Sequence, residues 1–486
     1  MLARNSLFSI AGSVVPVFIT VITLPFLLGT IGAERYGALA LCWLFLIYSA
    51  HILEGVGTAI THAVARAEDD EQTARDTMVT GLVTALVVSP ATAVLASVVA
   101  FVFFSQFFEV SEAVKHELVA SIWLIGVSSF VSGVSRAVFG ALIGKERFPT
   151  ASLAMMVCNG GLPLLALLFA QMFGANMVVL LWASLTAYCL GLLFLLLDLW
   201  RSQLRGKQAR VSWHRSQALL KFGFWIMATA IVAPLLLTLD RMVIGAQLGA
   251  IAVAAYTIPF QIVSRLQLIP QSLIKVLFPR LSVSAGVKAQ KMALYYSIVM
   301  SACFAPMIVG LIYLIEPLLV VWLGNNLDPQ SVEVGTWLLC AFYVTAIVQT
   351  MAVFLQSQER GAFVAKFQLS MIVPYLALLL YCANTYGLMG VVGAFLFRRT
   401  FEALFLVASS GFGSWRFWFT QIPATLGLLV AIMTVEMLPA PEYKLLAGVI
   451  VGSLTLLGAV LVVPAELRTM IIEQSRKRLR PNDHSA

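Results

Sequence analysis

Apolar runs of about 20 residues, separated by short polar segments, recur along the chain from Ser6 to Pro464. Such runs are too long for buried strands, whereas a helix of about 20 residues crosses the hydrocarbon core of a bilayer with its backbone hydrogen bonds made internally. The pattern predicts fourteen spanning helices, at 7–31, 36–60, 78–104, 118–140, 151–173, 177–199, 218–245, 251–277, 293–323, 333–356, 367–384, 387–409, 417–438 and 445–463. No soluble domain fits between them.

Composition strengthens this reading. Hydrophobic residues make up 60% of the 486 and charged ones 11%, and the mean hydropathy is +0.93, far from the values of soluble globular chains. The fold class is therefore all-α integral membrane protein. The run after the first five residues has no small-residue cleavage site, so the first helix is expected to be retained and not removed as a signal peptide. The six cysteines all fall in predicted spans without a C-x-x-C pair, which points to free thiols.

The net charge of +8 changes meaning once the spans are drawn. Lys and Arg collect in the segments that share a side with the N-terminus, above all in "RSQLRGKQAR" (201–210) and "RKRLR" (476–480), while Arg35, Lys115 and Lys444 fall on the other side. Positive loops resist translocation, so both termini are expected in the cytoplasm, with these basic clusters as anchors beside anionic headgroups. Nucleic-acid binding is the poorer reading of the same charge.

The basic loop divides the core into two sets of six: residues 1–199, a linker at 200–217, and residues 218–410. Two further helices follow at 411–464, then a basic tail at 465–486. Six helices per half give both halves the same topology, so a repeat would be parallel, a pseudo-twofold about the membrane normal. A shift of 217 positions lays "GAERYGAL" (32–39) on "GAIAVAAY" (249–256) and brings Pro16 within one residue of Pro234.

Polar residues inside the spans form stripes. At about 100° per residue, the eighth helix gathers Gln261, Ser264, Arg265, Gln271, Ser272 and Lys275 on one face. The fourth does so with Ser121, Ser128, Ser129, Ser132, Ser135 and Arg136, and the second with Tyr48, His51, Glu54, Thr58 and His62. The twelfth carries Arg398 and Arg399 with Glu402 in reach of a local ion pair. A basic residue at a helix centre costs roughly 2.5–3.5 kcal/mol, so these cations must face protein or water. Serine stripes, Arg136 and Lys275 equally suit helix-to-helix packing and snorkelling. For Arg265, Arg398 and Arg399, which lie mid-span, a water-filled cavity holding an anion is the stronger expectation. Asp240 and Arg241 of the seventh helix point about 100° apart and are expected to meet different neighbours, as an interhelical ion pair or as a gate, with Pro234 supplying a place to bend.

The opening "RNSLFSIAGSVVPVFITVITLPFLLGTIGAERYGALAL" (4–41), "LEGVGTAITHAVAR" (53–66) and "LDRMVIGAQLGAIAVAAYTIP" (239–259) resemble the O-antigen and exopolysaccharide flippases of bacterial polysaccharide biosynthesis, within the multidrug/oligosaccharidyl-lipid/polysaccharide superfamily. The resemblance spans about 400 residues with loose motifs. It implies two six-helix bundles around a central cavity open alternately to either side, an inner-membrane location, and turnover of undecaprenyl-pyrophosphate-linked sugars from the inner to the outer leaflet. A polysaccharide polymerase and a chain-length regulator are the implied partners.

Within that reading Arg136, Arg265, Lys275, Arg398 and Arg399 are the substrate-binding candidates. His51 and Glu54 are the ion-coupling candidates, because a carboxylate drawn into an apolar bundle becomes protonatable in a cell. Asp240, Arg241 and Pro234 are the gating candidates. A lipid II flippase of peptidoglycan synthesis also fits fourteen helices. Multidrug exporters commonly carry an acidic residue in the first helix, and 7–31 has none. A membrane-embedded polymerase or ligase would need a long outer loop, and the outer segments are only about a dozen residues. The chain shows no metal triad, nucleophile motif or P-loop, so no cofactor, catalysis or direct ATP use is expected.

Overall fold

A computed structural model describes residues 2–67, 70–236, 238–284, 286–411, 415–438 and 440–462. The basic tail at 465–486 lies outside the described residues. So do the side chains of Pro234 and Lys275. The described chain is all-α: α1 (Leu2–Arg66), α2 (Glu71–Val102), α3 (Glu112–Gly144), α4 (Phe148–Phe173), α5 (Met177–Leu199), α6 (Trp213–Leu236), α7 (Leu239–Gln247), α8 (Gly249–Arg265), α9 (Leu268–Ser282), α10 (Gly286–Leu323), α11 (Pro329–Ser357), α12 (Gly361–Ser409), α13 (Trp415–Val435) and α14 (Pro441–Val462). Among the described residues, 11 helical stretches are long and apolar enough to cross a membrane.

Local sequence sets several starts. Asp70 accepts from the N–H groups of Gln72 and Thr73, Asn176 from Val178, and Asp328 from Gln330 with Pro329 at the first helical position, so one or two of the orphan donors of each first turn are satisfied. At about 1.5 Å per residue, the 65 residues of α1 and the 49 of α12 far exceed one bilayer crossing. Each is two helices meeting at a glycine of non-helical conformation, Gly32 (φ 78°) and Gly387 (φ 60°). These are the points where the apolar pattern separates the first span from the second and the eleventh from the twelfth. Gly249, 217 positions after Gly32, has φ 82°. The shift that aligns the two short sequence stretches therefore also aligns a backbone conformation that L side chains rarely adopt.

Two expected spans are not continuous. The seventh, drawn as 218–245, is α6 and α7, separated after Leu236. The eighth, drawn as 251–277, turns at Leu266 and Gln267 between α8 and α9. Pro270 explains the second break, because it lacks the N–H that would bond the carbonyl of residue 266 and its ring crowds that carbonyl. The Gln267 amide, buried at the turn, donates to the carbonyl of Phe342 at 2.7 Å. The polar stripe drawn along one straight eighth helix is thus split over two helices.

The described residues divide into two compact units between Thr257 and Ile258. In the first, α1 packs on α3, α4 and α6, and its contacts with α3 and α6 use glycines two residues apart. Two residues turn a helix by about 200°, so Gly55 and Gly57 face opposite ways. A Cβ at Gly55 would overlap the carbonyl oxygen of Gly223 on α6, and one at Gly57 would lie 2.6 Å from the carbonyl oxygen of Arg136 on α3. Thr61 closes the α3 side by donating to the carbonyl of Gly140 at 2.9 Å. In the second unit, α10 packs on α11, α13 and α14. A buried polar knot joins three of these helices: Ser301 and Tyr343 donate to Oε1 of Gln421 at 2.8 and 3.0 Å.

Candidate functional site

In the first unit, the fourth predicted helix (α3) and the second (the later part of α1) bring their stripes together. His51 Nδ1 and Glu54 Oε2 lie 2.5 Å apart, one turn along α1. The charge of Arg136 acts on Glu54, and also on Cys158 and Tyr188. Arg136 lines a chamber of about 100 Å³ with Ser132 and Ser135 of α3, Cys158 and Asn159 of α4, and Tyr188 of α5. Ser132 and Ser135 donate to backbone carbonyls of their own helix, so part of that stripe is satisfied locally. His62, at the far end of the α1 stripe, sits edge-on to Phe222 at 5.7 Å.

In the second unit, the adjacent arginines of α12 have different surroundings. Arg399 Nη1 is 2.9 Å from Glu402 Oε2, one turn on, and both side chains are buried. Gln368 adds a 3.4 Å contact to the same carboxylate. Arg398 is 2% exposed. Its guanidinium carbon lies 4.4 Å from the ring centre of Tyr375 and 5.4 Å from that of Phe395, within the range of cation–π attraction. Its Nε and Nη2 find no hydrogen-bond partner among the described residues. Glu402 therefore neutralises Arg399, and Arg398 keeps a buried charge faced by aromatic rings. Arg265 is exposed on the last turn of α8.

Asp240, fully buried, occupies the first turn of α7. The Tyr256 hydroxyl donates to its Oδ2, and the backbone N–H of Arg241 donates to Oδ1 at 2.9 Å. Thr238, just before α7, hydrogen-bonds through its hydroxyl to the Tyr48 hydroxyl of α1. The Asp240 carboxylate and the Thr238 hydroxyl, on either side of the start of α7, are thus held by tyrosines from two other helices.

Sequence reasoning missed Asn159, Tyr188, Tyr256 and Tyr375. Asn159 carried a signal, since an amide inside "MMVCNGGLP" is costly in a membrane without a partner. The tyrosines carried none, because an apolar ring with one polar tip is ordinary in a membrane helix.

Residues 2–285 match the family of polysaccharide biosynthesis proteins. The chain belongs to that family. A Shigella flexneri protein named "Putative O-antigen transporter" is 21% identical over 408 residues, covering 83% of this chain and 96% of that protein. The fold is similar to that of the lipid II flippase MurJ in an inward closed conformation, with TM-score 0.70 at 14% identity over 96% of this chain and 100% of that one. It is also similar to an inward-facing multidrug resistance MATE family transporter, with TM-score 0.64 at 16% identity over 84% of this chain and 99% of the other. This member of the polysaccharide biosynthesis family is a multi-pass membrane protein whose fold is similar to that of these two solved structures.

Proposed function

We propose that the protein carries a lipid-linked oligosaccharide, a polysaccharide repeat unit on undecaprenyl pyrophosphate, from the inner to the outer leaflet of the bacterial cytoplasmic membrane by alternating access. The observation that carries this reading is the surplus of intramembrane cations. Arg136 lines a chamber that Asn159 and Tyr188 also line, and among the described residues Arg398 is buried without an ion pair. Uncompensated charge at that depth is expensive and is retained where it works on a substrate. An anionic headgroup suits it, whereas a cationic drug would be repelled. The family, and the O-antigen transport named for the Shigella relative, support the same substrate class.

Within this reading Arg136, Arg265, Lys275, Arg398 and Arg399 attract the pyrophosphate or an acidic sugar. An ion gradient acts through Glu54 with His51. Asp240 and Arg241, after Pro234, govern the bend of the seventh helix. The termini lie in the cytoplasm, where the basic loops meet anionic lipids, and a polymerase and chain-length regulator receive the product.

The test is reconstitution into vesicles holding undecaprenyl-pyrophosphate-linked oligosaccharide, with exposure at the outer leaflet read by an added lectin. Protein-dependent exposure is expected. Faster movement of lipid II in a parallel assay would replace this substrate with the peptidoglycan precursor, and movement of neither would end the flippase reading.

A further inference from the structure

The chamber beside Arg136 is built differently from the rest of the polar interior. It lies wholly within the first unit, walled by α1, α3, α4 and α5. Besides Ser132 and Ser135, which donate to carbonyls of their own helix, three of its lining side chains carry N–H or O–H donors: the Arg136 guanidinium, the Asn159 amide and the Tyr188 hydroxyl. Among the described residues, none of the three makes a side-chain hydrogen bond or ion pair, although Tyr188 is only 9% exposed. The carboxylate whose field reaches Arg136 is that of Glu54, which already takes a contact from His51 at 2.5 Å.

We infer that this chamber is an oxyanion subsite in which Arg136, Asn159 and Tyr188 hold one phosphate or carboxylate group. The geometry favours an anion over a neutral sugar for two reasons. A guanidinium presents a planar fork of N–H donors that matches two oxygens of an oxyanion, and the two other groups add neutral donors of the kind that fix orientation. Size gives the second reason: about 100 Å³ is several times what a water needs, yet well below the roughly 300–1,000 Å³ of sites that enclose a whole small molecule. The chamber can seat one charged group and must leave the remainder of a glycan outside. The two arginines of α12 differ in this respect, one being paired with Glu402 and the other shut behind rings.

The inference depends on the translocation reading for where the oxyanion comes from, either the pyrophosphate of the lipid carrier or the carboxylate of an acidic sugar. Its binding is measurable without transport. The full chain, purified in detergent, is titrated by calorimetry with inorganic pyrophosphate and separately with glucuronate, at matched ionic strength. Saturable binding of one of them is expected, and whichever binds more tightly identifies the source. Arg136→Gln should weaken it at least tenfold and Tyr188→Phe at least threefold, while Arg201→Gln, exposed in the π-helical turn that continues α5, should leave it unchanged. Tyr188→Phe keeps the packing ring and so decides the matter if Arg136→Gln does not fold. No saturable binding of either anion, or equal binding by wild type and Tyr188→Phe, overturns the subsite. Binding that survives in a protein that moves no lipid-linked glycan would refute the flippase reading and leave the subsite standing.

Discussion

Glu146 and Glu359, 213 positions apart, hold the same left-handed backbone, with φ of 56° and 60°, and are the only non-glycine residues of positive φ among those described. Each is the middle of a three-residue turn ending in arginine. Arg147 donates its backbone N–H to the carbonyl of Leu142, and Arg360 donates to that of Leu355, both at 2.9 Å. The side chains then reach the ends of later helices: Arg147 grips Asp198 at 2.6 and 2.5 Å, and Arg360 donates to the Ser409 carbonyl at 2.9 Å. A left-handed conformation costs an L residue about 1–2 kcal/mol. Glu146→Gly and Glu359→Gly should therefore leave thermal stability unchanged or raise it. The β-branched Glu146→Val and Glu359→Val should each lower it by about 1–2 kcal/mol, and equal melting of the glycine and valine variants would contradict the strained turn.

The two arginines of α12 should respond in opposite ways to removal of the nearby acid. Arg399→Gln leaves Glu402 buried without its cation and should destabilise by about 3–5 kcal/mol. Adding Glu402→Gln should recover much of that loss. Arg398→Gln should cost less stability but reduce glycan export, and its effect should add to that of Glu402→Gln. Denaturation midpoints and export in a double-mutant cycle measure both, and identical coupling of the two arginines to Glu402 would disprove the division of roles.

Asp240→Asn should slow flipping more than it weakens substrate binding, because its carboxylate holds Tyr256 and the start of α7. Tyr256→Phe should reproduce the defect, since it removes the same hydrogen bond. Loss of a buried hydrogen bond to a charged group is worth about 1.5–3 kcal/mol, so turnover should fall by about tenfold or more. Arg241→Gln is measured alongside. Normal turnover in all three variants would make this corner of the fold purely structural.

Glu54→Gln should uncouple transport from the ion gradient while leaving the protein folded, because the amide still fills the site beside His51. Vesicle flipping is compared with and without imposed proton and sodium gradients. Wild-type protein that flips equally well after both gradients are collapsed would remove Glu54 from a coupling role.

The all-helical, membrane-spanning character was legible in the sequence because a bilayer demands about 20 apolar residues per crossing, and Gly32 and Gly387 interrupt the helical backbone of the two longest helices. The breaks at the seventh and eighth helices were harder to see. Pro270 is tolerated in many membrane helices, and nothing near Thr238 distinguishes a break from a bend. The second helix showed the His51–Glu54 contact directly, since these residues are one turn apart on any helix. The different states of Arg398 and Arg399 were hidden, because Tyr375 and Phe395 come into play only through packing. Asn159 and Tyr188 escaped for a related reason: they lie on different helices, and the chamber appears only when α1, α3, α4 and α5 meet.

The glycines at 55 and 57 make the later part of α1 a shaft running between two bearings. At both positions backbone meets backbone, α1 against α6 at Gly55 and α1 against α3 at Gly57, while the Leu53 side chain of α1 fills the notch at Gly133 of α3. A bulkier residue at either glycine would act as a wedge that pushes one neighbouring helix away and opens the packing of the first unit.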